Sequence, residues 1–293
     1  MATILITGGT GLIGKHLTKK LIDANFEVAI LSRNPTAQNE FKWDISADYI
    51  DKKAFENITH IIHLAGAGIA NKRWTVKRKK EIIDSRKKST ELLFKTVKKL
   101  NIPLKKFISA SGTGFYPSDT SNKIYKETDM PTDEFLGIVC QEWEKSALQF
   151  ESIQIPTTIF RTSVVLSKKG GALEKMKTLI ISPLGNGKQF SPWIHIDDLC
   201  NLYLKAVQDI AFQGIYNAVS LEHHTSTSFS KALAKAFNKP FLSIGVPAFL
   251  LKLFLGEMSV LLLQGRKVSS EKTVKNGFSF KFKSLESALE DLK

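Results

Sequence analysis

The residues best spaced to do chemistry lie near the start of the chain, in the run Thr7-Gly8-Gly9-Thr10-Gly11-Leu12-Ile13-Gly14. They follow a short apolar stretch, Thr3-Ile4-Leu5-Ile6, and open a segment in which Leu12, Ile13, Leu17, Leu21 and Ile22 recur at helical intervals. A glycine turn between a strand and a helix is the setting in which this spacing has a physical meaning. Gly8 permits a tight turn, Gly11 lets the backbone approach a pyrophosphate, and Gly14 lets the helix pack closely on the strand. The helix N-terminus offers unpaired N–H groups and the positive end of its dipole to phosphates. The expected ligand is a dinucleotide.

Which dinucleotide is expected follows from the end of the next apolar run, residues 27–31. An NAD site usually carries an acid there to bond the ribose 2′-hydroxyl, whereas this chain has Ser32 and Arg33. A carboxylate repels a 2′-phosphate and a guanidinium pairs with it. NADP is therefore expected over NAD.

Several elements must position these groups. Strands are expected at residues 3–6, 27–31, near 41–43, and at 58–64, 106–109 and 157–165. Helices are expected at 11–24, through the basic stretch after 64, and at 133–150. Strands this apolar are buried on both faces, as in a parallel sheet covered by helices. The alternation predicts an α/β fold, a doubly wound parallel Rossmann sheet with a smaller C-terminal substrate-domain region. The boundary is expected at residue 166, giving a dinucleotide-binding domain over 1–166 and a substrate region over 167–293, with some later segments returning to the first.

With 293 residues, 43% of them hydrophobic, the chain can bury a sizeable core. Its two cysteines, Cys140 and Cys200, have no metal-ligand or disulfide spacing, which predicts a reducing, cytoplasmic setting and no metal. No basic and apolar leader with a cleavage site is evident at the N-terminus. The apolar stretch 244–263 is broken by Pro247, Lys252, Gly256 and Glu257, so it is expected to form buried or amphipathic helices rather than a membrane span. The net charge of +14 is concentrated in clusters such as Lys77-Arg78-Lys79-Lys80 and Arg86-Lys87-Lys88. Apolar residues recur between them at helical intervals, and no aromatic stacking platform accompanies them. The expectation is a solvated helix face, not a nucleic-acid interface.

Further motifs are His63-Leu64-Ala65-Gly66, Ser109-Ala110-Ser111 and Trp193-Ile194-His195-Ile196-Asp197-Asp198. With the glycine turn, they make the chain resemble an extended short-chain dehydrogenase/reductase. Asn71-Lys72-Arg73-Trp74, Ser85-Arg86, Trp143-Glu144 and a C-terminal block with Gly265-Arg266 narrow the resemblance. They point to the epimerase-like branch, labelled NAD-dependent epimerase/dehydratase-like or cell-division-inhibitor-like. The resemblance spans essentially the whole chain. It implies that His63, Leu64, Ala65 and Gly66 run along the cofactor, with Ser109 beside them. It also implies that Val164 approaches the nicotinamide, and that Glu81 and Arg86 lie on a helix passing the cofactor. Many extended members carry asparagine where this chain has Arg86. Ser111 matches the usual catalytic serine, and Tyr116 is a candidate acid facing the nicotinamide.

The family's catalytic Tyr-x-x-x-Lys pair is absent. The helix that carries it reads Phe135-Leu136-Gly137-Ile138-Val139-Cys140-Gln141-Glu142-Trp143-Glu144-Lys145. Cys140 is read as a packing residue, His195 as ordering the junction with the second region, and the pair His223-His224 as having no role. Two activities stay open. One is an NADP-dependent oxidoreductase or epimerase acting on a small polar, nucleotide-linked or free, substrate. The other is a catalytically impaired NADP-binding regulatory or sensor protein. No nucleic-acid or membrane partner is expected, and the residues leave monomer and homodimer equally open.

Overall fold

The computed structural model describes residues 2–118 and 120–293. Its elements begin β1 (Thr3–Thr7), α1 (Leu12–Asp23), β2 (Glu27–Ser32), β3 (Glu40–Asp44), β4 (Tyr49–Ile50), β5 (Ile58–His63) and α2 (Val76–Leu100). They continue with β6 (Lys106–Gly112), β7 (Ile124–Tyr125), α3 (Phe135–Leu148), β8 (Thr157–Thr162), β9 (Val164–Leu166), α4 (Ala172–Met176), β10 (Trp193–His195) and α5 (Ile196–Gln208). The last are β11 (Gly214–Ala218), α6 (Ser226–Ala236), α7 (Ala248–Leu255), α8 (Val260–Leu263), β12 (Lys267–Val268), α9 (Glu271–Lys275) and α10 (Leu285–Asp291).

Eight strands form one sheet in the order β11-β8-β6-β5-β1-β2-β3-β4, parallel except for the pairing of β4 with β3. Successive side chains on a strand point to opposite faces. Thus Ile4 and Ile6 join Ile62, Ile108 and Phe160 on one face, under Leu17 and Leu21 of α1 and Leu199 and Leu202 of α5. Leu5 joins Ile61, Phe107 and Ile159 on the other, under Leu93 and Val97 of α2 and Ala147 of α3. Each such buried leucine or isoleucine contributes roughly 1.5–3 kcal/mol relative to exposure.

The doubly wound architecture is as expected, and its details add to the sequence reading. The hairpin strand β4 and the seventh parallel strand β11 were not anticipated as sheet members. The expected single strand at 157–165 is two strands. The break falls at Ser163, whose N–H and hydroxyl both donate to Ala218 O on β11, at 3.2 and 3.1 Å. Beyond it, β9 leaves the main sheet and pairs with β10. Two elements after residue 166 serve the main sheet: β11 extends it and α5 covers it beside α1.

The junction with the C-terminal region is built from the Trp193–Asp198 motif. Asp198 accepts from the backbone of Lys281 and Phe282, at 2.7 and 3.1 Å. His195 accepts from Asp197 N and lies against the Phe282 ring, centroids 3.8 Å apart. Asp197 in turn bonds His16 of α1 at 2.5 Å and Lys281 at 3.1 Å. His195 thus orders the junction.

Two surface expectations hold only in part. The stretch 244–263 is amphipathic rather than buried: Met258 and Ser259 are enclosed and Leu255, Val260 and Leu261 pack on the core, but no residue of α7 is fully buried, and Phe249, Leu253 and Phe254 stand open to solvent. No helix among the described residues is long and apolar enough to cross a membrane. On α2, lysines such as Lys77, Lys80 and Lys98 lie on the exposed face, but Arg78 and Arg86 from the same clusters are buried on the inner one. Their backbone positions share the stripe of Ile82, Leu93 and Val97, so helical period decides burial over charge.

Candidate functional site

The register of three strands creates the site. Thr7 at the end of β1 lies level with Leu31 of β2 and His63 of β5. The chain winds from β1 toward β2 on one side, and β5 returns on the other. The crevice beyond these strand ends is where doubly wound sheets take ligands.

Gly8 has φ +72°, a backbone region costly for other residues, and a Cβ there would lie 3.1 Å from Leu64 C and Ala65 N. A Cβ on Gly14 would fall on the Gly8 carbonyl and 2.6 Å from Gly9 Cα, so α1 packs directly on the turn. A Cβ on Gly9 would meet the Ile30 side chain at 2.8 Å. Gly11 differs: its Cβ would meet only Gly8 O, at 3.3 Å. Thr10 and Gly11 are exposed at the tip. Gly11 is the N-cap of α1 and supplies no side-chain cap, and no acid stands in the first turn. The N–H groups of Leu12, Ile13 and Gly14 are therefore left for a ligand. Across the turn, a Cβ on Gly171 would lie 2.9 Å from Leu12 Cδ2, so the loop before α4 rests against the start of α1.

The loop after β5 is held from below. Thr7 Oγ1 accepts from Ala65 N at 3.2 Å and bonds His63 Nδ1 at 2.6 Å. His63 Nε2 meets Ser89 Oγ at 3.1 Å, and Ser89 donates its one proton to Arg86 O. Proton counting then fixes the order: Nε2–H donates to Ser89, and Nδ1 accepts from Thr7. His63 is neutral, fully buried, and pushed down to about 3 by desolvation and then by the charge of Arg86. Its side chain braces the site from inside the fold, while Leu64, Ala65 and Gly66 reach the surface of the loop.

From α2, Ser85 Oγ accepts from Ala67 N at 2.9 Å, Arg86 donates to Ala67 O at 3.1 Å, and Arg78 donates to Gly68 O at 2.5 Å. Glu81 is exposed, and its carboxylate pairs with Arg78 at 2.7 Å. Through that arginine it is tied to the loop, and the charge of Lys72 in the same loop acts on it as well. On the other flank, Ser32 ends β2 and is buried, and Arg33 is exposed with no ion pair among the described residues.

Beyond β5 the structure gathers a cluster that the sequence reading had not joined. Arg161 of β8 bonds the Glu144 carboxylate through Nε and Nη2 at 2.9 and 2.8 Å, and its Nη1 donates to Tyr116 Oη at 2.9 Å. Ser111 donates to Glu144 Oε1 at 2.7 Å, and Tyr116 donates to Asn217 Oδ1 at 2.7 Å. Both hydroxyls are buried and committed. Burial pushes Tyr116 up to about 12. The structure thus brings Ser111 and Tyr116 together around Arg161 and Glu144, with the Tyr116 ring closed off from any open surface. A lone arginine in an apolar strand and a lone glutamate on an apolar helix face were the available signals, since buried charges are found paired.

The remaining candidates scatter. Ser109 is buried level with His63, its hydroxyl donating to Ala110 O at 3.0 Å. Val164 stands half exposed at the start of β9. Cys140 donates its thiol proton to Gly112 O at 3.3 Å, and desolvation followed by the nearby Glu144 raises it to about 11, the behaviour of a packing residue. Trp74 of the Asn71–Trp74 motif is buried against Phe135 and Met258, tying the loop after β5 to the C-terminal block.

Comparison with known proteins adds to this geometry. The family model described as NAD dependent epimerase/dehydratase family matches residues 4–218, and a domain of unknown function, DUF1731, matches residues 246–292. An epimerase family protein of Staphylococcus aureus (strain MRSA252) is 36% identical over 304 residues, covering 100% of this chain and 99% of its own. One of Staphylococcus saprophyticus is 36% identical over 305 residues, with the same coverage. The crystal structure of the human epimerase family protein SDR39U1 with NADPH has a TM-score of 0.88 at 29% identity, covering 99% of this chain and 98% of that one. The nucleoside-diphosphate sugar epimerase of Corynebacterium glutamicum has a TM-score of 0.81 at 26% identity, covering 98% of this chain and 57% of that one.

Proposed function

The chain belongs to the NAD dependent epimerase/dehydratase family, of the extended short-chain dehydrogenase/reductase type, and from that premise we propose that it binds NADP at the glycine turn and uses it to oxidise or reduce a small polar substrate. The observation that carries this reading is the uncapped N-terminus of α1 after β1, with Arg33, which has no ion pair among the described residues, just past the end of the neighbouring β2, at the point where the strand order reverses. The NADPH in the human relative's structure supports the same choice.

The residues present fit the cofactor. The free N–H groups of Leu12, Ile13 and Gly14 hold the pyrophosphate, and Gly11 leaves room for it. Ser32 and Arg33 take the 2′-phosphate. The loop from Leu64 to Gly66 lines the crevice and Val164 flanks its nicotinamide side, while the buried Ser109 supports β6 from within. When bound, the nicotinamide supplies hydride chemistry. The substrate is a small polar alcohol or carbonyl compound, and the sugar-nucleotide activity named for the Corynebacterium relative makes a nucleotide-linked sugar the first class to examine. Ser111 and Tyr116 act in this reading by holding the Glu144–Arg161 pair that walls the nicotinamide side. Neither hydroxyl has a proton to spare for substrate. The buried, unpaired cysteines support a reducing, cytoplasmic setting.

The test is NADPH oxidation by purified protein over a panel of small carbonyl compounds and nucleotide-linked ketosugars, with Ser111→Ala and Tyr116→Phe alongside. Turnover in the parent chain is the expected result. Bound cofactor with no turnover on any substrate would overturn the redox reading in favour of a second one, a cofactor-sensing protein. One observation favours that alternative: the α3 side chain beside Gly112 is the inert thiol of Cys140, on a helix with no tyrosine. Capture of a partner with and without NADPH would then report the sensing.

A further inference from the structure

Two of the arginines buried in the walls of the site, Arg161 and Arg86, are partnered in opposite ways. Arg161 is paired: a two-pronged carboxylate, a tyrosine hydroxyl and the Glu127 carbonyl receive four of its five protons. Arg86 is only 6% exposed, yet no carboxylate lies within ion-pair distance among the described residues. Its Nη1 donates to Ala67 O and Ile82 O. Nε is sealed off from solvent without a partner, and the side-chain hydrogen bonds of Arg86 among the described residues all run through Nη1, which leaves Nη2 without an acceptor. The guanidinium lies over the Trp143 ring, 4.8 Å from its centroid. Desolvation lowers Arg86 to about 10, which leaves it charged at neutral pH. A buried cation without a counter-charge is costly, and a ligand that takes its free donors would offset part of that cost.

Its place says what that is. A Cβ on Gly66 would lie 2.9 Å from Arg86 Cζ, so the guanidinium backs directly onto the exposed glycine of the loop after β5. That loop lies on the side of β1 opposite Arg33 and β2. A dinucleotide whose pyrophosphate sits on the β1 turn and whose 2′-phosphate meets Arg33 must lay its nicotinamide half over β5 and β6. Clamping the loop does not account for the open donors. Ser85 and Arg78 already hold it at two points, and Nη1 alone makes Arg86's contact with it.

We propose that Arg86 is a cofactor-positioning residue whose uncommitted Nη2 donors bind the sugar oxygens of the nicotinamide half. This rests on the cofactor reading above, and a suitable experiment separates the two. Affinities of NADPH and of adenosine 2′,5′-bisphosphate, which lacks the nicotinamide half, are measured by calorimetry for the parent chain, Arg86→Lys and Arg86→Met, with thermal unfolding of each. Absence of NADPH binding by the parent chain would remove the cofactor reading itself. Given parent binding, Arg86→Met weakens NADPH by about tenfold or more, Arg86→Lys weakens it less, and adenosine 2′,5′-bisphosphate stays within about twofold. Unchanged NADPH affinity, or parallel loss of both ligands as a purely structural role demands, would overturn the proposal. Should Arg86→Met fail to fold, Arg86→Lys carries the same comparison.

Discussion

The Glu144 carboxylate on α3 and the Arg161 guanidinium on β8 meet in a two-pronged ion pair, at 2.9 and 2.8 Å, with 5% and 2% of the two residues exposed. Ser111 adds a third bond to the carboxylate. The pair joins the central sheet to the helix behind it, on the side of the crevice where the sequence places its candidate catalytic hydroxyls. Removing one partner of such a pair strands a buried charge. Arg161→Met is expected to cost about 3–5 kcal/mol in urea unfolding. Arg161→Met with Glu144→Gln should recover part of that loss. A cost below about 1 kcal/mol for the single variant would contradict the role given to the pair.

Tyr116→Phe removes a hydroxyl that donates to Asn217 and receives Arg161. Two buried groups lose a partner, which predicts a loss of about 1–3 kcal/mol. Because burial holds Tyr116 at about 12, it stays protonated throughout the working range. The rate should therefore show no limb between about pH 6 and 10 that depends on this residue. A limb in that window that disappears in Tyr116→Phe would restore it as an acid.

Acid stability should depend on His63. Its pKa falls from 6.5 to about 3 in the folded chain, first through desolvation. Between those values the unfolded chain holds a proton that the folded chain does not. The stabilisation is therefore complete above pH 6.5 and lost progressively on acidification, by roughly 1.4 kcal/mol per pH unit for one group. His60 and His195, each lowered to about 4, steepen the slope. Urea unfolding across this window should be shallower in His63→Gln than in the parent chain, and an identical slope would exclude His63 as a contributor.

The glycines of the turn separate folding from binding. Gly14→Ala sets a methyl against the Gly8 carbonyl and should cost about 1–3 kcal/mol while weakening the cofactor. Gly11 has an ordinary φ of −78° and little near its Cβ, so Gly11→Ala should leave stability within about 0.5 kcal/mol. It should still reduce NADPH affinity, because the new methyl occupies the approach of the pyrophosphate. Unaltered affinity in Gly11→Ala would move the phosphates elsewhere.

Local signals made the first half of this architecture readable. The glycine turn announces itself because it stands between an apolar strand and a helix only a few residues apart, with Gly8 at a positive φ and Gly14 packed on the Gly8 carbonyl. The strands around β1 are readable because burial on both faces makes them uniformly apolar. Non-local contacts hid the rest. Gly214–Ala218 joins the sheet through β8, some fifty residues earlier, and nothing adjacent to it in sequence says so. Ser111 and Tyr116 stood out as polar groups near a site, but Glu144 and Arg161, which engage them, are distant in the chain. The resemblance places Arg86 on a helix that passes the cofactor, but nothing in the sequence marks it as a buried base. Its burial follows from the helical period, and its lack of a carboxylate appears only once the neighbouring elements are packed. The exposed apolar face of α7 went unforeseen for a related reason: hydrophobic composition predicts a buried helix and does not say what covers it.

The central claim, NADP held on the glycine turn with Arg33 as its discriminator, is tested most directly by calorimetric titration of NADPH and NADH into the parent chain and Arg33→Ala. The account predicts that NADPH binds more tightly than NADH by about tenfold or more and that Arg33→Ala removes most of that advantage while leaving NADH affinity nearly unchanged. Equal affinities in the parent chain, or a preference for NADPH that survives Arg33→Ala, would contradict it.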